Sequence, residues 1–268
     1  MAAGDREAMN DYHMHTALSD GEGDMDAFVA RAAALGLAEI GFTDHLVPRA
    51  YDEAGYGLPG QDVARYARDV RRAADRVGGP RVLLGVEIDF VPGAEAELEE
   101  LLARERFDYV VGSVHFAAGF PFDMTSMQDD PRWDDVDDLY RLYWETVARA
   151  AAWGRFDVVG HLDLPKVFGR RPAVSMTAEE DAALAAIKAA GLAIELNTSG
   201  LRSAAREAYP SPSLLERAAA LAIPLTFGSD AHTPDDVGRD FERAVALARA
   251  AGFSSTLRIS DGEAEALP

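Results

Sequence analysis

The chain has 268 residues, 48% of them hydrophobic, enough to bury one large core, so residues 1–268 are expected to form a single domain. With 46 acidic residues against 26 basic ones the net charge is −20, which repels a nucleic-acid backbone and excludes a role built on long DNA contacts. Cysteine is absent, which excludes disulfides and thiolate metal sites and suits a reducing compartment.

The opening residues, MAAGDREAMNDYH, lack the apolar region of a signal peptide. No stretch approaches the roughly 20 apolar residues of a membrane span, so a cytoplasmic protein without membrane partners is expected. The first strand-like run is MNDYHMH (9–15), and a helical segment over 24–35 then stops before Gly36. AEIGFTDH (38–45) is the second run, and the Gly- and Pro-rich segment LVPRAYDEAGYGLPGQ (46–61) follows it. Val63, Tyr66, Ala67, Val70, Ala74 and Val77 recur on one helix face. RVLLGVEIDF (81–90) and FDYVVGSVH (107–115) are the third and fourth runs, and FAAGFPFDMTSMQDDP (116–131) is a second irregular segment. A helical stretch holding Trp144 and Trp153 leads to FDVVGHLD (156–163). A helix near 178–190 opens with the capping-box pattern Thr177-x-x-Glu180 and stops at Gly191. LAIELN (192–197) and IPLTFGSD (223–230) complete the strand-like runs.

Seven such units without a linker imply an α/β domain with a mainly parallel sheet, covered on both faces. An open doubly wound sheet and a closed barrel both fit that alternation. The polar residues favour the barrel: they stand at the C-terminal end of strand after strand, where barrel enzymes build their sites, rather than at one switch point. The expectation is a seven-unit (β/α) barrel, with 46–61 and 116–131 emerging beside the site and able to cover it.

All six histidines fall at these strand ends: His13, His15, His45, His115, His161 and His232. Glu87 and Asp230 stand at strand ends too, with Asp20 just past the first. In an extended His-x-His pair both rings point to one side, so His13 and His15 can share an ion. Asp230-x-His232 has the same spacing, but turns there could aim its side chains at different ions. Six nitrogen ligands and three carboxylates exceed what one metal needs, and the mixture suits two or three zinc, iron or manganese ions better than magnesium or calcium. Glu87 interrupts the apolar run VLLGVEIDF, where an unpaired charge is costly and a metal bridge would remove the cost. Asp89 either supports the ligands from behind or lies past the strand end, while Asp44 and Asp163 are placed to orient rings. Three divalent ions against three carboxylates leave a centre of about +3, which attracts a phosphate dianion and acidifies a bridging water. Phosphoester hydrolysis uses all of these properties.

The blocks DYHMHT, GFTDH, GVEIDF, GSVHF, GHLDLPK, ELNTSGLR and GSDAH resemble the polymerase and histidinol phosphatase (PHP) family, and more narrowly its monofunctional histidinol-phosphate phosphatases. The resemblance runs from about Asn10 to Phe253 and implies a distorted (β/α)7 barrel, TIM-barrel-like, with a trinuclear metal site. It implies His13, His15, Glu87 and Asp230 at the first ion, with Glu87 bridging to a second held by His115 and His161. Asp20, His45 and His232 would hold the third. Zinc, manganese, iron and cobalt all suit such ligands. Lys166 and Arg202 look like phosphate contacts by their positions after the fifth and sixth strands, with a surface salt bridge as the alternative for each, and Asn197 and Ser199 would add hydrogen bonds to the substrate or to the groups behind the metal ligands.

The resemblance implies hydrolysis of L-histidinol phosphate to L-histidinol and phosphate, a step of histidine biosynthesis acting on a small-molecule phosphate monoester. Glu87, Asp230 and His232 are the expected catalytic residues: a hydroxide bridging the first two ions attacks phosphorus, and the leaving alkoxide takes its proton from water on the third ion or from the His232 region. Because every histidine is claimed by a metal, proton transfer must run through bound water or a carboxylate. The substrate's ammonium and imidazole suit acidic loop residues such as Asp52, Glu53 or Glu207. Rival readings on the same scaffold are a phosphoesterase for nucleotide phosphates or cyclic phosphodiesters, a polymerase-associated proofreading module, and a non-catalytic sensor of a phosphorylated ligand.

Overall fold

Parallel strands follow one another in chain order around a closed seven-unit barrel. The computed structural model describes residues 9–75 and 78–268; the segment before Met9, read above for a leader, and Val77 of the expected helix face lie outside them. β1 (Asn10–Asp11) pairs with β2 (Glu39–Phe42), and β2 with β4 (Arg81–Leu84). β3 (His45–Leu46) continues the second unit and pairs with β5 (Glu87–Asp89), so that His45 stands opposite Glu87. β5 pairs with β6 (Val111–Ser113), the latter with β9 (Val158–Val159), then β10 (Ala193–Asn197) and β11 (Leu225–Gly228). The seam between last and first units closes through Tyr12 N–H donating to Phe227 O at 3.1 Å, His15 N–H donating to Ala231 O at 2.9 Å, and a parallel bridge between Met14 and Ala231.

The distortion has a local cause. Units two and three are each broken, between β2 and β3 and between β4 and β5, and Tyr109 fills the space beside both breaks. A Cβ on Gly41 would lie 1.9 Å from the Tyr109 hydroxyl, and one on Gly85 2.5 Å from its ring, so both positions need glycine. The hydroxyl donates to Tyr12 O at 2.7 Å, tying the plug to the first unit. At this N-terminal end Tyr12, Leu83, Tyr109, Val111, Val158 and Ala193 form a small apolar cluster, covered by Leu257 and Ile259 beside the antiparallel hairpin β12 (Ser255–Leu257) and β13 (Ala264–Ala266). That hairpin lies beyond the reach of the sequence reading.

Helices cover the outside. α1 (Met25–Leu35) starts at Asp24, whose carboxylate accepts from Asp26 N–H, and stops at Gly36 in the left-handed conformation. α2 (Val63–Ala74) buries Val63, Tyr66, Ala67, Val70 and Ala73; Ala74, expected on that face, is exposed. α3 (Glu95–Leu102) follows the third unit, and the fourth unit carries the short hairpin β7 (Phe116–Ala117) and β8 (Phe120–Pro121) before α4 (Val136–Trp153). α5 (Thr177–Ala190) ends at Gly191 as expected, but the capping box does not form. Thr177 is already the first helical residue, its N–H is taken by Ser175 Oγ at 3.3 Å, and Glu180 pairs with Arg217 instead. α6 (Pro212–Ala220) and α7 (Phe241–Ala251) complete the ring. No helix among the described residues is long and apolar enough to cross a membrane.

Candidate metal centre

Glu87 opens β5 at the C-terminal mouth of the barrel, fully buried, and five imidazoles converge on it. Its Oε2 lies 3.1 Å from His13 Nε2, 3.5 Å from His15 Nε2 and 3.2 Å from His45 Nδ1. Its Oε1 lies 3.0 Å from His161 Nε2 and 3.8 Å from His115 Nε2. The sixth ring, His232, joins from the side, 3.2 Å from Asp20 Oδ2 and 3.7 Å from Asp230 Oδ1. Asp230 also faces His13 at 3.8 Å and His15 at 3.2 Å. It adopts a left-handed backbone, φ 54°, a conformation that aspartate tolerates better than most residues. That turn splits Asp230-x-His232, sending the carboxylate inward and the ring toward Asp20.

The nine expected ligands therefore meet in one cluster. Their ligand atoms form overlapping groups lying within 4.8 Å of one another: His15, Asp20, His45 and His232; His13, His161 and Asp230; His13, His15 and Glu87; His45, Glu87 and His115. Glu87, His13, His15 and His45 each belong to two groups, so the partition is more interlocked than three separate shells. The donors fit a polynuclear transition-metal site. His13 Nε2, both ring nitrogens of His15, Glu87 Oε2 and His161 Nδ1 are buried without a hydrogen-bond partner, and such atoms are costly unless something charged is supplied to them. His115 Nε2 and His161 Nε2 face each other at 3.2 Å beside Glu87 Oε1, an arrangement that a shared cation would relieve.

Behind the ligands stands a layer that only partly follows expectation. Asp89 lies on the same side of β5 as Glu87, settling the choice left open for it, with His45 Nδ1 at 2.9 Å and His115 Nδ1 at 3.2 Å. The Tyr56 hydroxyl donates to the same carboxylate and its ring stands edge-on to His45. Glu195, on β10, was not anticipated: it accepts from His13 Nδ1 and from His161 N–H, each at 2.8 Å, and from Asn197 Nδ2 at 3.0 Å. Its signal was there, a carboxylate within LAIELN, the same oddity as Glu87 in its own run. Asn197 and Ser199 turn to this network, Ser199 Oγ donating to Asn197 Oδ1 at 2.7 Å and to Asp230 Oδ2 at 3.1 Å. Asp44 orients no ring; it accepts from Thr16 N–H and Oγ1, both at 2.6 Å, and from Ser19, fixing the turn that carries Asp20.

The field of the cluster is strong in both directions. Burial would raise the Glu87 carboxyl, but His13 and His45 hold it well below the usual range. Burial works against charge on His13 and His45 as well, yet the carboxylates around them hold both rings well above the ordinary imidazole value. His15 goes the other way, lowered by burial and by the neighbouring rings of His232 and His45. In His115 and His232 burial is overcome by Asp89 and by Asp20 respectively, leaving each at about 9.

A cavity of about 600 Å³ opens over the centre. Both irregular segments wall it: Ala54 and Tyr56 from 46–61, and Asp123, Met124, Thr125 and Ser126 from 116–131. Ser199 also lines it, but Lys166 and Arg202 do not. Lys166 is fully buried, its ammonium 2.9 Å from Asp163, 3.0 Å from Glu207 and 2.7 Å from Ala208 O. Arg202 donates to Ser229 O at 2.8 Å and to Thr198 O at 3.3 Å, with Asp236 3.7 Å away. Both expected phosphate contacts are thus engaged in holding loops together, and Asp163 serves Lys166 and the Ser211 N–H rather than a ring. Of the acidic loop residues, Glu207 is paired with Lys166 and Arg171, and Asp52 accepts from Gly57 N–H at 3.2 Å. Glu53 faces an adjoining cavity, so none of the three lines the main one.

Comparison with known proteins places the chain among others. The PHP domain pattern matches residues 11–199. A probable histidinol-phosphatase of Deinococcus radiodurans is 38% identical over 245 residues, covering 90% of this chain and 93% of that protein. The histidinol-phosphatase of Bacillus subtilis is 26% identical over 261 residues, covering 87% of this chain and 96% of its own length. The crystal structure of histidinol phosphate phosphatase from Lactococcus lactis, complexed with zinc, L-histidinol and phosphate, shares the fold. Its TM-score is 0.75 at 22% identity, over 96% of this chain and 98% of that one.

Proposed function

Since the chain belongs to the PHP domain family, we propose that it is a metal-dependent histidinol-phosphatase, hydrolysing L-histidinol phosphate to L-histidinol and phosphate in histidine biosynthesis. The observation that carries this reading is the meeting of five imidazoles on one buried carboxylate, Glu87, with ring nitrogens left unpartnered, in a chain this similar to a histidinol-phosphatase.

Two or three divalent ions of zinc, manganese, iron or cobalt type would supply Lewis acidity, positive charge and a water acidic enough to act as nucleophile near neutral pH. His13, His15, Glu87 and Asp230 would hold one, His115 and His161 with Glu87 the next, and Asp20, His45 and His232 the third. Glu195 and Asp89 fix the rings of His13, His45 and His115, so that the remaining nitrogens point inward. Glu87, Asp230 and His232 carry the catalytic assignment. Glu87 and Asp230 join adjacent parts of the centre, and His232 stands at its most open side, with 40% of its side chain exposed, beside Asp20. Tyr56 and Met124 line the cavity from the two irregular segments. Among the described residues no lysine or arginine lines the cavity, so in this reading the charge that meets the dianion would come from the centre. Residues 1–268 work as one domain in this reading, in the cytoplasm, on a small phosphate monoester without nucleic-acid or membrane partners.

Phosphate release from L-histidinol phosphate by metal-loaded protein is the test. Turnover that exceeds that of nucleotide phosphates and cyclic phosphodiesters is expected. Turnover of those rivals without histidinol phosphate would move the enzyme to the alternative substrate class.

A further inference from the structure

The wall of the cavity is uneven in charge. Its floor holds His45, His115, His161 and His232 with Asp20, Glu87 and Asp230. Away from these ligands it is made by apolar and aromatic residues such as Tyr56, Met124, Leu164 and Tyr209 together with the hydroxyls of Thr125, Ser126, Ser199 and Ser203, and among the described residues a single further carboxylate lines it, Asp123.

Asp123 is firmly placed. The β7–β8 hairpin before it turns through Ala118 and Gly119, both at positive φ, with Phe116 opposite Pro121. Phe122, its neighbour, is fully buried and meets Tyr143 edge-on at 5.7 Å. A 3-10 turn over Thr125–Met127 anchors the other side. The Asp123 side chain is 25% exposed, and the nearest group able to carry positive charge is His115, its Nε2 3.9 Å away. Among the described residues no lysine or arginine comes within ion-pair distance of it. A partly buried carboxylate at a cavity wall is stabilised by a cation that meets it there.

Resting on the histidinol-phosphatase reading, we infer that Asp123 is the specificity-determining residue for the leaving group, pairing with the ammonium of an amino-alcohol phosphate while the phosphate lies on the metal side. The two ends of such a substrate carry opposite charge, so it docks with its phosphate on the ions and its ammonium on Asp123, at the His115 edge of the centre. An ester with a neutral alcohol leaves Asp123 desolvated and unpaired, and discrimination comes as much from that penalty as from the pairing. Asp52, Glu53 and Glu207 have no comparable place.

The test compares phosphoethanolamine with ethyl phosphate, alongside L-histidinol phosphate, on metal-loaded wild type and Asp123→Asn. Wild type is expected to favour phosphoethanolamine in kcat/KM by about tenfold or more, and the variant to lose most of that preference, through a raised KM for phosphoethanolamine and a lowered KM for ethyl phosphate. Metal content is expected to be unchanged, and Asp123→Glu to recover part of the preference. A wild type that does not favour the cationic ester, a preference that survives in Asp123→Asn, or an equal loss on both esters with reduced metal content each overturns the assignment. If the preference collapses in the variant but L-histidinol phosphate is not turned over by either protein, Asp123 keeps its role and the substrate reading fails.

Discussion

His13 donates from Nδ1 to Glu195 at 2.8 Å, and the same carboxylate takes the backbone N–H of His161 at 2.8 Å. One side chain on β10 thereby sets the tautomer of a ligand from the first unit and the chain path beside a ligand from the fifth. Glu195→Gln keeps the shape but weakens both contacts. Metal affinity is expected to fall about 10- to 100-fold, with a matching loss of activity at limiting metal and partial recovery at excess. Metal content after dialysis measures it; full occupancy at wild-type affinity would show that Glu195 does not position His13.

Gly228 offers an independent probe of the same contact. A Cβ there would lie 1.7 Å from Glu195 Oε1 and 2.8 Å from His13 Cβ. Gly228→Ala is expected to push Glu195 out of line and to cost about 1–3 kcal/mol of stability as well as metal affinity. Urea unfolding with metal analysis on the same samples reads both effects. Wild-type values for each would mean that the barrel yields easily at this point.

Lys166 separates a structural role from a phosphate-binding one. Removing its buried ammonium by Lys166→Met leaves Asp163 and Glu207 facing each other without their shared cation. A loss of roughly 3–5 kcal/mol in unfolding free energy is expected, with KM for the phosphate ester little changed in the folded fraction. A raised KM at unchanged stability would return Lys166 to the substrate.

Removal of metal should expose the titration of the cluster. In the metal-free protein His115 and His232 lie at about 9, above an ordinary value of 6.5, because Asp89 and Asp20 outweigh the opposing effect of burial. Folding then favours their protonated forms, so their contribution to stability is complete below pH 6.5 and is lost as pH rises through about 9. The melting temperature of chelator-treated protein is expected to fall across that window, while metal-loaded protein changes little. Metal uptake at pH 7.5 should release protons, and apparent affinity should climb with pH up to about 9. Calorimetry in buffers of different ionisation enthalpy counts the protons; uptake without release would contradict the charge state assigned to these rings.

The barrel and the gathering of the six histidines were legible because both leave marks in one dimension. Apolar runs repeat along the chain, and a charge such as Glu87 or a histidine at the end of such a run has no cheap alternative to a partner. Glu195 carries the same mark within LAIELN, and its contact with His13 joins residues 182 positions apart. The ion pairs of Lys166 and Arg202 were harder to foresee for the opposite reason. Their distance past a strand is visible, but the burial of Lys166 between Asp163 and Glu207 depends on how two loops meet, which no local pattern encodes. Asp123 lay hidden in an irregular segment, where one more acidic residue in a chain of net charge −20 carries no signal until the cavity wall is seen. The breaks in the second and third units were equally silent, since they follow from Tyr109 reaching across to Gly41 and Gly85.

The seam that joins Tyr12 to Phe227 and Met14 to Ala231 has a consequence for how the protein is made. Five of the nine ligand positions are translated before residue 100, yet Asp230 and His232 arrive with the last barrel strand. Until that strand docks, the nascent chain displays an open sheet edge and a partial cage of imidazoles able to catch whatever ion is abundant. The cluster is therefore complete only once the final strand closes against the first, and an ion caught earlier meets fewer donors than the folded barrel offers.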